Sequence, residues 1–176
     1  MQSNLMNSTM RNGLILGILF SINFLMSTAN NVFLGLLSYV VVGFIAYLIY
    51  FYTAKYRDKD CGGAITYSHA LMYIILLFIF GSLISAIVKL IFFKFINPNF
   101  LPEMLNKSMT IMEQMLPSVP ESTYDEVEKI MSPGYYTLIS FWMNIILGFF
   151  VGLVVAAIVK KNKNPFDENN QTPNNI

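Results

Sequence analysis

The chain has 176 residues, 55% of them hydrophobic and only 12% charged, with a formal net charge of +1. That is too little polar material to clothe a soluble globule, and without an Arg-rich or aromatic-interleaved basic patch the near-neutral balance argues against nucleic acid as a partner. One cysteine, Cys61, and one histidine, His69, give neither an internal disulfide nor a zinc cluster, so no metal or cofactor is expected.

Four apolar stretches, residues 13–29, 32–54, 70–93 and 135–159, each approach the roughly 20 residues a helix needs to cross a bilayer. They are apolar on every face, as in Tyr73 to Phe80, rather than alternating as spanning strands do. The expected fold is therefore all-α and polytopic: one membrane domain over residues 1–163, with four transmembrane helices.

The first stretch carries Gly13 and Gly17, a GxxxG pair, and an amide at Asn23. It ends in Ser27-Thr28-Ala29, which also fits a signal-peptide cleavage site and would leave three spans. The apolar run exceeds the usual ~7 to 15 residues of a signal core, so the uncleaved reading is preferred, with Asn30-Asn31 as the tip of a helical hairpin. The second stretch leads into Lys55-Tyr56-Arg57-Asp58-Lys59, then Cys61 and Gly62-Gly63, which lack the flanking pattern of a phosphate loop. His69 opens the third stretch, where it reads as an interfacial polar residue rather than a pH sensor.

Within the third stretch, Gly81 with Ser85 forms a weaker small-residue pair and Ser82 lies between them. Lys89 is its only ionisable residue; it either snorkels to the headgroups with Lys94 or is a functional charge. No Asp or Glu lies within the four stretches, which weighs against a proton-coupled pump.

The connection over 97–133 is expected to form an amphipathic helical hairpin. Leu101, Met104, Leu105, Met109, Met112, Met115 and Leu116 recur at helical spacing. Pro117 and Pro120 break this helix, and Thr123 with Glu126 has the pattern of a capping box for a second, shorter one. Such a pair either lies on the membrane surface and caps its own bundle or binds a protein partner. The methionines suit packing better than a Cu(I) site. The fourth stretch holds Asn144 and a seam of Gly148, Gly152 and Ala156, and residues 164–176 form a polar, disordered tail. The small residues mark contact faces, within the chain or in a homo-oligomer. Asn23 and Asn144 are expected at mid-membrane, pairing the first and fourth helices directly or through Ser82.

Lys and Arg cluster after the second stretch and at Lys160-Lys161-Asn162-Lys163, whereas 97–133 holds only Lys107 and Lys129 among six acids. The positive-inside rule puts both termini in the cytoplasm and the hairpin outside.

Tyr56-Arg57-Asp58-Lys59, Gly62-Gly63-Ala64-Ile65-Thr66-Tyr67, Phe95-Ile96-Asn97-Pro98-Asn99-Phe100, Met131-Ser132-Pro133-Gly134 and Ala156-Ala157-Ile158-Val159-Lys160-Lys161 together resemble a bacterial four-helix membrane family, domain-of-unknown-function family 4199, found mainly in Bacteroidetes. The resemblance runs from about Arg11 to Lys163. It implies an inner-membrane location and the same four spans, and supplies no reaction or ligand. The expected function is that of a non-enzymatic accessory or scaffold protein, in contact with the lipid bilayer and with a protein partner through the hairpin. The alternative is a small oligomeric transporter or channel subunit, and an enzyme acting on lipid ranks behind both for want of a catalytic set.

Overall fold

A computed structural model describes residues 2–29, 31–115 and 121–162 of the chain. Among them are six α-helices and no strand: α1 (Gln2–Thr28), α2 (Val32–Asp60), α3 (Tyr67–Ile91), α4 (Phe100–Met115), α5 (Glu121–Ile130) and α6 (Pro133–Val159). α1, α2, α6 and α3 with its π-helical continuation Phe92–Ile96 are long and apolar enough to cross a membrane. The chain is accordingly built as a multi-pass membrane protein.

Local chemistry sets the helix ends. The Asn31 side chain accepts from Phe33 N–H at 2.9 Å and starts α2. At its far end Gly62 and Gly63 adopt φ of +67° and +85°, the left-handed region that glycine enters without a Cβ clash. Gly63 N–H then caps the Arg57 carbonyl at 3.0 Å. Thr66 caps α3, and Pro133 occupies the first turn of α6, where its missing N–H costs nothing.

α3 is the hub. Its Leu77, Phe80, Gly81 and Ile84 stripe faces α1, and its Leu71, Ile74 and Phe78 stripe faces α6. α2 packs chiefly on α1 and leaves most of its length uncovered, with Phe33, Tyr39 and Val40 exposed. One core cluster, around Leu16, Ile49, Tyr73, Ile74, Leu77 and Val159, runs through all four long helices. A second, of Phe92, Phe93 and Leu101, lies at the end that carries α4 and α5, here called the hairpin end. The opposite, loop end is closed by the α2–α3 connection, where Ile65 and Lys161 exchange backbone hydrogen bonds of 2.9 and 3.0 Å.

Three expectations need correction. α1 begins at Gln2, well before residue 13, because Ser8, Thr9 and Asn12 are satisfied inside the protein: Thr9 is fully buried and donates to the Leu5 carbonyl at 2.9 Å. α1 and α6 do not pair as expected, since each docks on α3 and the hub stands between them. α5 begins by Glu121, which places Thr123 inside the helix rather than at its cap. Asn30, Leu116, Pro117, Pro120 and the 164–176 tail lie outside the described residues.

Candidate functional site

Two polar assemblies interrupt the apolar bundle. At the loop end, Tyr73 on α3 stacks face to face on Tyr56 of α2, with ring centroids 4.3 Å apart and a 12° interplanar angle. The Tyr73 hydroxyl accepts from Asn12 Nδ2 at 2.9 Å and lies 3.3 Å from Ser8 Oγ, while the Tyr56 hydroxyl meets His69 Nε2 at 3.2 Å. Arg57 donates from Nη1 to the Val159 carbonyl at 3.1 Å and pairs with Asp58 through Nε at 2.7 Å. It thereby caps a carbonyl that the last turn of α6 leaves free. Tyr67 adds a 3.3 Å hydrogen bond to the Leu153 carbonyl. This network binds α1, α2, α3 and α6 at one level. Its hydroxyls and amide are spent on one another, so it reads as a structural clasp. Beside it, burial pushes the Cys61 thiol above its ordinary range.

Toward the hairpin end a cleft of about 170 Å³ opens between α1, α3 and α6, lined by Phe20, Asn23, Phe24, Ser27, Ser85, Lys89 and Asn144. Lys89 does not extend toward the helix end. Its Nζ donates to Ser140 Oγ on α6 and lies 5.3 Å from the centroid of the Phe24 ring on α1. Phe24 is in turn held edge-on by Phe92 and Phe93, at centroid distances of 5.3 and 5.5 Å, and Phe93 stacks on Phe100 at 5.9 Å. The aromatic cluster thus fixes the ring over which the ammonium sits. Asn23 Oδ1, Ser82 Oγ and Ser85 Oγ are buried without a hydrogen-bond partner.

The glycines lie along the two seams of the hub. A Cβ on Gly13 would meet Phe80 Cβ at 2.7 Å, and one on Gly17 would meet the Gly81 carbonyl at 2.9 Å. Gly148 lies against Phe78, Gly152 against Leu71, and Ala156 is fully buried. Gly81 approaches the Phe20 ring from the α3 side. Asn23 and Asn144 line the same cleft without being hydrogen-bonded to each other, and it is Ser85, not Ser82, that shares the lining with them. Asn23 lies five residues before Thr28, about 7 Å along the axis from the end of α1.

Residues to which the sequence assigned no site role carry much of this geometry. Ser8, Asn12, Tyr56 and Tyr73 pair across elements far apart in the chain, and only their polar or amphipathic character amid apolar runs could have drawn notice. Among the described residues no three His, Cys, Asp or Glu side chains converge as a metal site would require.

A family profile described as "Protein of unknown function (DUF4199)" matches residues 11–161. No curated protein and no solved structure matches the chain.

Proposed function

The chain belongs to the DUF4199 family of proteins of unknown function, and from that membership and the bundle's build we propose that it is a non-enzymatic accessory or scaffold protein of the bacterial inner membrane. Both termini lie in the cytoplasm and α4–α5 outside, as the Lys and Arg distribution directs. The observation that carries this reading is the hairpin's detachment. Leu101 anchors the first turn of α4 in the aromatic cluster and is the one buried residue described in that helix. Farther along, Ile111 and Met115 are 57% and 75% exposed, and α5 leaves Ile130 exposed as well. Tyr124 donates to Glu113 at 3.4 Å, which joins the two helices to each other rather than to the bundle. An amphipathic pair held at the bundle mouth, with Ile111, Met115 and Ile130 left exposed, suits contact with a partner protein at the membrane surface.

A photo-crosslinking residue at Ile111 or Met115, compared with one across the helix on the polar face at exposed Asn106, tests this in native membranes. A stoichiometric protein adduct from the apolar positions and none from Asn106 is expected. Adducts to lipid alone from every position refute the partner role. A second reading, a small oligomeric transporter or channel subunit, draws on the polar cleft around Lys89 within an otherwise apolar bundle. A pure homo-oligomer that makes vesicles leak solutes would favour it.

A further inference from the structure

We propose that the cleft between α1, α3 and α6 is an anion site, which takes the oxyanion of a phosphate or carboxylate group onto Lys89. The lysine is the starting point. Its ammonium is held from two sides, by Ser140 Oγ on α6 and by the Phe24 ring on α1, so it stands inside the bundle rather than snorkelling to water. One of its three N–H groups is used on Ser140, which leaves two to point elsewhere. α1, α3 and α6 contain no Asp or Glu anywhere in their length, and the one ion pair among the described residues, Arg57–Asp58, lies at the other end of the bundle. Among the described residues, therefore, a positive charge stands in an apolar setting with no counter-charge paired to it. An uncompensated charge there is costly, and an incoming anion offsets that cost.

The rest of the lining fits the same ligand. Ser85 is 1% exposed and its hydroxyl has no partner, so it is free to rotate and donate. Asn23 and Asn144 bring amides from the two flanking helices, and an amide turned by half a revolution presents its NH₂ with no change of shape. A cation surrounded by neutral donors and without a carboxylate is selective for negative charge. The volume, about 170 Å³, is that of a cavity able to hold a benzene-sized guest, roughly 150 Å³, so a phosphate or carboxylate fits with water beside it. The ligand arrives either as the headgroup of an anionic lipid or as a free anion, and the two share this chemistry.

The test uses the full chain in phosphatidylcholine nanodiscs, with Tm as the readout and bound lipid identified by mass spectrometry. Phosphatidylglycerol is added to the discs in one arm, and inorganic phosphate or acetate to the buffer in the others. A rise in Tm with phosphatidylglycerol alone identifies a lipid headgroup, and a rise with phosphate or acetate identifies a soluble anion. Lys89→Gln should weaken the effective ligand about tenfold, whereas Lys94→Gln, at an exposed position of the π-helical turn, should leave the response unchanged. Lys89→Arg, which keeps the charge, should restore most of it. No rise in the wild type with any anion overturns the proposal, as does a response that survives Lys89→Gln as fully as Lys94→Gln, since the anion would then be acting on surface charge. Should Lys89→Gln not fold, Ser85→Ala and Asn144→Leu probe the same cleft: a severalfold loss in either supports it, and unchanged binding in both overturns it.

Discussion

Alanine at Gly148 should loosen the α3–α6 seam, whereas the same change at Gly43 should not. A Cβ on Gly148 would stand 2.3 Å from Phe78 Cγ and 2.7 Å from Phe78 Cβ. Turning the ring cannot relieve a clash with Cβ, and the ring is also confined: Phe78 is 2% exposed and packs on Phe20 of α1 with centroids 5.5 Å apart. The helices must therefore separate by about 1 Å to bring these carbons toward ordinary contact at roughly 3.5 Å. Overpacking of this kind costs about 1 to 3 kcal/mol, against a gain of up to about 1 kcal/mol from replacing glycine in a helix. A net loss of roughly 1 to 2 kcal/mol follows, or a few degrees in Tm. At Gly43 an added Cβ meets nothing within 4 Å, so only the favourable helix term remains. Gly152 is intermediate, because its closest neighbour at 2.8 Å is Leu71 Cδ1, the far end of a side chain that can turn away. Thermal melts of the three purified variants, and unfolding in mixed detergent micelles, should rank Gly148→Ala below wild type, Gly152→Ala near it, and Gly43→Ala at or above it. If Gly148→Ala melts with the wild type, or Gly43→Ala falls as far, the seam is not where the stability lies.

Tyr73→Phe keeps the stack on Tyr56 but removes the hydroxyl that serves Asn12 and Ser8, and it should cost about 1 to 3 kcal/mol in the same unfolding assay; an unchanged midpoint would show that the clasp is not a stabilising network. In intact spheroplasts a membrane-impermeant maleimide should spare Cys61, and labelling there would reverse the proposed orientation. In permeabilised cells the raised thiol pKa leaves less thiolate at any pH below it, so alkylation of Cys61 should lag behind a free thiol near neutrality and catch up as pH rises; a profile identical to that of a free thiol counts against its burial. Single cysteines along α4 in a Cys61→Ser background should react more slowly at half-buried Met109 and Met112 than at exposed Asn106 and Lys107, and equal rates on both faces would remove the case for an amphipathic helix.

What could be read from the sequence were the features that hydrophobicity alone decides. Every one of the four long helices was visible as an apolar run, and α4 as a stripe from Leu101 onward, because burial in hydrocarbon requires backbone groups to be satisfied within each segment. Helix ends were harder. Ser8, Thr9 and Asn12 look too polar for a span, and only their partners on the protein, Leu5 and Tyr73 among them, explain why α1 runs through them. The arrangement of helices was harder still, since a glycine pair announces a close approach but not the neighbour it approaches. Gly17 and Gly148 lie on the two helices expected to pair, whereas the structure seats both on α3. The cleft was half legible: Asn23, Ser85, Lys89 and Asn144 were each conspicuous, but their convergence depends on where α1 begins and on the hub between the flanking helices.

The pair of backbone bonds between Ile65 and Lys161 bears on how the chain is assembled in a cell. Ribosomal synthesis delivers the turn before α3 well ahead of Lys161, so until α6 has been made Ile65 has no mate. α1, α2 and α3 can gather as they emerge, yet the Leu71, Ile74 and Phe78 side of α3 stays open to lipid until α6 is inserted. Closing the turn onto Lys161, and Arg57 onto Val159, is thus a finishing stitch that only a complete bundle can make. A copy that stops short of it keeps α1, α2 and α3 gathered but leaves the Leu71, Ile74 and Phe78 side of α3 and the loop-end seam unclosed, the kind of exposed edge by which a membrane quality-control protease can tell unfinished chains from finished ones.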